Sequence, residues 1–337
     1  MSQKDQTVIS RTGSAVSLKG VDKHFLQWQR DNHAKGMLRN LIKPEKKVVR
    51  ALEDVSFEIE KGEFVAYAGP NGAGKSTTMK LLSGMLIPNA GDIRVFGLSP
   101  QKNRRALMHR LGVLFGNRTE LWWDHPIIQS FEWKKVVWNI DDSTYRRNLD
   151  MVTELLDLGP LLKTFAREMS LGQRMRADLG MMLLHSPELL LLDEPTLGLD
   201  VVAKRQMIDF LKKINHEEGV TIMVTSHDMD DLEEMAERML MISDGKIAYD
   251  GGFDGLRKIT GDLTRVILSM ENGDVPTLDD AHLISAKNGV YEFEVDLGQT
   301  TVRDLMRRLS DYDGISDVEI KKAPIEQVIA RIYQEWK

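Results

Sequence analysis

Ala51–Glu60 (ALEDVSFEIE) alternates apolar and polar residues, the period-two pattern of a half-buried strand. Before it, Val16–Phe25 reads as an edge strand, and Lys61-Gly62 is a turn into a fully apolar run, Phe64–Ala68. Ile93–Phe96 and Val113–Phe115 are short strand candidates. From Pro126 to His185 the period becomes helical, which predicts a helical subdomain over about 118–185. Leu189–Leu192 is a buried-strand run. Val201–Glu217 then reads as a helix, Val220–Thr225 as a strand, Met229–Ala236 as a helix and Arg238–Tyr249 as a hairpin about Asp244-Gly245. Strands alternating with helices predict an α/β fold with a largely parallel sheet.

Near Thr260 the pattern changes. LTRVILSM, GVYEFEVDL, the helical VRDLMRRLSDY, the strand ISDVEIKK and a last helix PIEQVIARIYQEW predict a separate small α+β domain over 260–337. Residues 1–15 read as a polar tail, and 26–50 as an insertion of different composition within a domain spanning 16–252. The insertion carries seven basic and two acidic residues, and Met37, Leu38, Leu41 and Ile42 share one side of a helix that Pro44 ends. A basic amphipathic segment suits an anionic membrane surface; a solvated loop packed on the domain is the plainer reading.

Composition narrows the class. The 337 residues are 42% hydrophobic and 28% charged, which suits a soluble globular chain. No apolar run approaches the roughly 18–20 residues a membrane span needs, and MSQKDQTVIS does not read as a secretory signal. Without cysteine there is no disulfide framework and no thiolate metal site. The net charge of −6 argues against bulk nucleic-acid binding, and no nucleic-acid partner is expected.

The chemistry concentrates in four places. The first is GPNGAGKST, residues 69–77, between an apolar strand and a helical pattern. This is the phosphate-loop arrangement. Gly69, Gly72 and Gly74 let backbone N–H groups curl toward phosphate oxygens, with Pro70, Asn71, Ala73 and Thr77 completing the cradle. The following helix adds its positive end. Lys75 brings a compact charge to the outer phosphates, and the Ser76 hydroxyl can ligate Mg²⁺. The chain therefore reads as a nucleoside triphosphate binder.

The second is LLLLDEP, Leu189–Pro195. Its leucines predict a buried strand beside the phosphate loop that delivers Asp193, a Mg²⁺ ligand, and Glu194, which can orient or deprotonate water. The third is MSLGQ, Met169–Gln173, before a helix. Ser170 reads as a helix cap; with Gly172 close behind it is also a second triphosphate site, which one nucleotide would need only from another copy. The fourth is His227, at the end of a strand, either structural or a contact to the terminal phosphate that orients Glu194 or water.

Together these residues resemble the ATP-binding cassette family over about Val16–Gly252. The resemblance implies a phosphate-loop cassette that hydrolyses ATP with Mg²⁺. It implies a head-to-tail dimer, here a homodimer, in which Ser170, Leu171, Gly172 and Gln173 face the partner's phosphate loop. Gly198-Leu199-Asp200 matches the loop that crosses the interface, and Phe25 occupies the place of the adenine-stacking aromatic. The family pattern is usually Leu-Ser-Gly-Gly-Gln, so Leu171 is a departure. So is Asn117, at or next to the place of a glutamine that links Mg²⁺ and water to the partner. Four of the six tryptophans fall between Trp122 and Trp138; they read as subdomain core or as a groove for a helix of a membrane subunit. The wording is most similar to exporter cassettes with a separate integral membrane permease, which places the chain in the cytoplasm, peripheral on the inner face of the membrane. A soluble cassette acting on ribosomes or DNA and a non-hydrolysing nucleotide sensor are the alternatives. One phosphate loop, the lack of a heptad run and the intact Asp193, Glu194 and His227 count against them.

Overall fold

The computed structural model describes residues 13–28, 46–116, 119–259, 263–271, 281–296, 300–310, 312–322 and 328–329. The chain forms two compact units, Met1–Asp250 and Gly251–Lys337.

The first unit opens with an antiparallel hairpin of two long strands, β1 (Ser14–Trp28) and β2 (Lys46–Glu60). Strand β4 (Ala90–Val95) pairs with the other side of β1, giving the order β2-β1-β4. The segment read as an edge strand is thus the centre of its sheet. Val16, Leu18 and Val21 face the core, while its two backbone edges are taken by β2 and β4. The pairing runs on through Leu26↔Val48 and Trp28↔Lys46, so both ends of the basic insertion continue the hairpin. The helix expected over Met37–Ile42 lies outside the described residues.

The second sheet has six strands. They are β3 (Phe64–Ala68), β5 (Leu111–Phe115), β6 (Leu189–Asp193), β7 (Thr221–Thr225), β8 (Arg238–Ser243) and β9 (Lys246–Gly252), in the order β5-β6-β7-β3-β8-β9. β5 through β8 run parallel, and β3, β6 and β7 are buried at every position, as parallel strands covered on both faces must be. The leucine strand β6 does not neighbour the phosphate-loop strand β3: β7 lies between them. The β8–β9 turn at Asp244-Gly245 has φ of 47° and 78°, the primed-turn conformation that suits a tight hairpin. One apolar core joins the sheets, with Leu18, Ile59, Tyr67 and Leu240 packed around Met79, Leu81 and Leu82 of α1 (Lys75–Leu82).

After the short helix α2 (Arg104–Met108) and β5 comes the helical part: α3 (Ile127–Trp138), α4 (Asp142–Leu155) and α5 (Leu171–Leu183). Asp141 caps α4 by accepting from the Thr144 N–H. Helix α6 (Val201–Glu218) leads into β7, and α7 (Met229–Met235) leads into β8.

The second unit begins in α8 (Phe253–Ile259) and holds an antiparallel sheet of β10 (Leu263–Met270), β11 (Ala281–Lys287), β12 (Val290–Asp296) and β13 (Ile315–Lys322), in the order β11-β12-β10-β13. Val266, Leu268, Tyr291, Phe293 and Val295 alternate inward and bury Leu305 and Leu309 of α9 (Val302–Leu309). Strand β11 was not legible in sequence: it is an edge strand, exposed at most positions, and carries no period. Of the expected last helix only Val328 and Ile329 are described, both helical and buried.

Candidate nucleotide site

The loop from β3 to α1 is a cradle set by close backbone approach. A Cβ on Gly69 would lie 2.2 Å from the carbonyl oxygen of Ile242 on β8, and one on Gly74, at φ 118°, would lie 2.6 Å from that of Ala51 on β2. The loop is therefore seated on strands from both sheets, while Pro70, Asn71 and Gly72 stay exposed at its tip. Thr78 Oγ1 donates to Gly74 O and shares a 2.9 Å hydrogen bond with the buried Tyr67 hydroxyl, which fixes the first turn of α1 to the strand before it. Ser76 and Thr77 lie in the same turn, partly buried. The Lys75 ammonium folds back on the loop, donating to Gly69 O at 2.6 Å and Pro70 O at 3.2 Å. Burial lowers its pKa, and the nearby charges of Glu194 and Asp193 oppose that shift. An anion entering the loop would give this cation a better partner than two neutral carbonyls.

Two strands away, β6 brings Asp193 to the same place. Ser76 Oγ donates to Asp193 Oδ2 at 2.7 Å, and Thr225 Oγ1 donates to Asp193 Oδ1 at 2.7 Å. Thr225 ends the intervening strand β7 and was not singled out from the sequence; its one signal is a polar residue closing a buried strand just before His227. Its hydroxyl and carbonyl oxygens both accept from the Glu194 N–H. That double contact holds Glu194 at φ 59°, a left-handed conformation that costs a residue with a side chain about 1–2 kcal/mol. The turn carries the Glu194 carboxylate to His227, whose Nε2 lies 2.7 Å from Glu194 Oε1. Lys75, Ser76, Asp193, Glu194 and His227 thus converge at the C-terminal ends of parallel strands.

The donor set suits Mg²⁺. One hydroxyl and one carboxylate meet, and among the described residues no three His, Asp or Glu side chains cluster as a full protein cage. Mg²⁺ takes such partial sets together with substrate phosphates and water.

The sequence model of the ABC transporter family matches residues 52–197, which contain the loop, β6 and Glu194. The ABC transporter ATP-binding protein NatA of Bacillus subtilis is 30% identical over 212 residues, covering 63% of this chain and 86% of NatA. This chain belongs to the ABC transporter family. It is an ATP-binding subunit, an ATPase of transport. The bacitracin transport ATP-binding protein BcrA of Bacillus licheniformis is 28% identical over 282 residues, 80% of this chain and 88% of BcrA. A solved dimeric ATP-binding cassette in a post-hydrolysis state with ADP and Pi is 23% identical, with a TM-score of 0.58 over 70% of this chain and 98% of that one; it shares the fold.

The other residues that the resemblance pointed to sit elsewhere on the cassette. Ser170 caps α5 in a reciprocal box: Gln173 N–H donates to Ser170 Oγ at 3.2 Å, and Ser170 N–H donates to Gln173 Oε1 at 2.9 Å. Among the described residues no hydrogen bond joins Ser170, Gly172 or Gln173 to the phosphate loop of the same chain. The turn Ser170–Gly172 instead packs on Gly198 and the start of α6. A Cβ on Gly198 would lie 2.8 Å from Leu171 Cδ2, and one on Gly172 would lie 3.3 Å from the Ala203 Cβ. Leu171, the departure from the family pattern, thus fills space against this chain's own Gly198. Asp200 caps α6 through the Ala203 N–H at 2.8 Å.

Phe25 is half-buried on β1, with the Lys23 ammonium 5.1 Å from its ring centre. Asn117 lies outside the described residues; the chain is described up to Gly116, whose N–H donates to Asp193 O, and again from Thr119. Trp122, Trp123 and Trp133 are 38–49% exposed and continue into exposed Val136 and Val137, so these three tryptophans form surface rather than subdomain core.

A cavity of 570 Å³ runs from Ser76 and Asp193 under β5 to Trp138 and His185. Asp178 of α5 borders it, accepting from Thr119 Oγ1 and the Glu120 N–H, both at 3.0 Å. Burial raises the Asp178 carboxyl to about 6 and lowers the His185 imidazole to about 4. The two act on stability with opposite sign. On acidification the folded state takes up a proton at Asp178 before the unfolded chain does, which stabilises it. His185 refuses a proton that the unfolded chain accepts, which destabilises it. In the parent protein these trends offset each other between about pH 6.5 and pH 4. Asp178→Asn keeps an acceptor for Thr119 and Glu120 but removes the carboxyl titration. The variant is expected to melt at or above the parent temperature at pH 7.5 and to lose stability more steeply than the parent below pH 6. Parallel pH–melting curves would refute this.

Proposed function

We propose that the chain works as one half of a head-to-tail cassette homodimer that hydrolyses ATP and drives a separate membrane permease, in the direction of export. The observation that carries the hydrolytic part is Glu194 Oε1 at 2.7 Å from His227 Nε2, beside the Ser76–Asp193 pair. ATP phosphates take the loop N–H groups and the Lys75 ammonium. Ser76 and Asp193 would hold Mg²⁺, which would supply charge neutralisation on the phosphate oxygens. Glu194 accepts the proton of the water that attacks the terminal phosphorus, and ADP departs with the electron pair of the broken P–O bond. His227, donating from Nε2, keeps the Glu194 carboxylate aimed.

The distribution of parts supports the dimer. Ser170 sits at an exposed helix start with no hydrogen bond to its own phosphate loop, so its hydroxyl proton and the N–H groups of the first α5 turn outside the capping box are left for a second molecule's triphosphate. Phe25 on β1 is the reading for the adenine stack. The permease part is supported by Trp122, Trp123, Trp133, Val136 and Val137, an exposed apolar surface on and before α3 suited to a partner helix. Export is supported by the resemblance to exporter-type cassettes and by the relative named for bacitracin transport. The same resemblance places the chain at the inner face of the membrane, held there by its permease; no helix among the described residues is long and apolar enough to cross a membrane.

Ser170→Asp tests the dimer. Aspartate caps a helix about as well as serine, so the fold is kept, but its charge repels a triphosphate. Glu194→Gln protein with ATP is expected to run as a dimer on size exclusion, and the same protein carrying Ser170→Asp as a monomer that still binds ATP. A dimer that persists would refute the assignment of Ser170 to the partner's nucleotide.

A further inference from the structure

Helix α6 starts directly after the loop Gly198–Asp200, and α7 starts after His227 and its cap residue Asp228. The two starts are tied by one cation. Lys204 Nζ donates to Asp228 Oδ2 at 2.6 Å and lies 3.1 Å from Asp231 Oδ2. Asp228 is the residue after His227 and also the cap of α7: its other oxygen, Oδ1, accepts from the Asp231 N–H. Asp231 is 6% exposed, so its charge is costly without a partner. Arg205 Nη1 adds a second link one residue on, 2.7 Å from Glu234 Oε1. Lys204 lines a small cavity together with Glu194, Leu199 and His227.

We propose that Lys204 is a positioning residue for hydrolysis: by bridging Asp228 and Asp231 it fixes the first turn of α7, and so the His227 imidazole, against Glu194, and it makes that placement depend on the loop Gly198–Asp200. The inference rests on the reading of Glu194 and His227 given above. Without the ammonium, two carboxylates about one helical turn apart face each other with no cation between them. Their repulsion, and the desolvation of Asp231, push the α7 start outward. His227 is covalently next to Asp228, so that shift moves its imidazole from Glu194 Oε1. Nothing in the contact reaches the phosphate loop, so nucleotide binding is left in place. Because α6 follows the loop that the dimer reading puts at the interface, arrival of the partner cassette would reach His227 through the same ammonium.

The test uses the full-length chain, with ATP turnover and the KM for ATP measured for Lys204→Met, Lys204→Arg, Lys204→Met/Asp228→Asn and Glu194→Gln. Lys204→Met is expected to lower kcat about 10- to 100-fold, the effect of misplacing a group by about 1 Å, with KM unchanged within about twofold. Lys204→Arg keeps a cation at the bridge and retains most of the turnover. Asp228→Asn still caps α7 but removes one of the two charges, so it restores part of the loss in the Lys204→Met background. Normal kcat in Lys204→Met, alongside an inactive Glu194→Gln, would overturn the proposal while leaving the site reading intact. A fall in kcat and nucleotide affinity together, rescued by neither second variant, would also overturn it, by reducing Lys204 to a stabilising contact. Normal turnover by Glu194→Gln would instead bring down the site reading itself.

Discussion

Glu194→Gln is expected to bind ATP as tightly as the parent chain and to hydrolyse it about 10²–10⁴ times more slowly. The substitution changes two atoms' chemistry and little else. The amide fits the same left-handed turn, because that turn is held by Thr225 through the backbone N–H rather than by the side chain. It still reaches His227. What it lacks is a site that accepts a proton, and the attacking water is left to lose its proton unaided. Lys75→Ala is the contrasting variant. It removes the buried ammonium that now sits on Gly69 O and Pro70 O, so it should weaken nucleotide binding directly. Equilibrium nucleotide binding and phosphate release on the same preparations separate the two effects. Turnover by Glu194→Gln within a few-fold of the parent would remove Glu194 from the chemistry.

Gly69→Ala is expected to destabilise the cassette by about 3 kcal/mol or more, whereas Gly72→Ala costs about 1 kcal/mol. The two glycines belong to one motif and look equivalent in sequence. The difference is what lies behind them. A methyl on Gly69 meets the Ile242 carbonyl oxygen at 2.2 Å and its Cγ2 at 2.9 Å, so relief requires β8 or the whole loop to shift. A methyl on Gly72 meets no atom within 4 Å, and only the φ of 85° opposes it. Urea or thermal unfolding of the two variants gives the comparison. Equal destabilisation would mean that the loop is not seated on β8 as described.

The pattern of hydrophobic and polar positions located almost every element of the first unit, because buried parallel strands and amphipathic helices are written in local periods. It also singled out Lys75, Ser76, Asp193, Glu194 and His227, which the structure brings together, since a phosphate loop and a strand-terminal Asp-Glu are local chemistry with few other uses. Pairing was less legible. Val16–Phe25 has the composition of an edge strand, but an edge is a statement about neighbours, and β4, some seventy residues on, is the neighbour that closes it. In the same way the leucine strand is written in the sequence, while β7, inserted between it and β3, is not.

What the sequence determined by itself was the set of chemical parts: a loop that binds phosphate, a carboxylate pair at a strand end, a histidine after a strand and a capped helix start. Each depends on residues within a few positions of one another. The tertiary structure decided which parts act together. Thr225 became the group that holds Glu194 in its strained turn, Leu171 became the filling against Gly198, and Lys204 became the bridge between the starts of α6 and α7. These are contacts across roughly 24 to 31 positions of chain, made by ordinary Thr, Leu and Lys residues. Such residues carry no signature of their own, because their roles come from the order of strands in the sheet that brings them together.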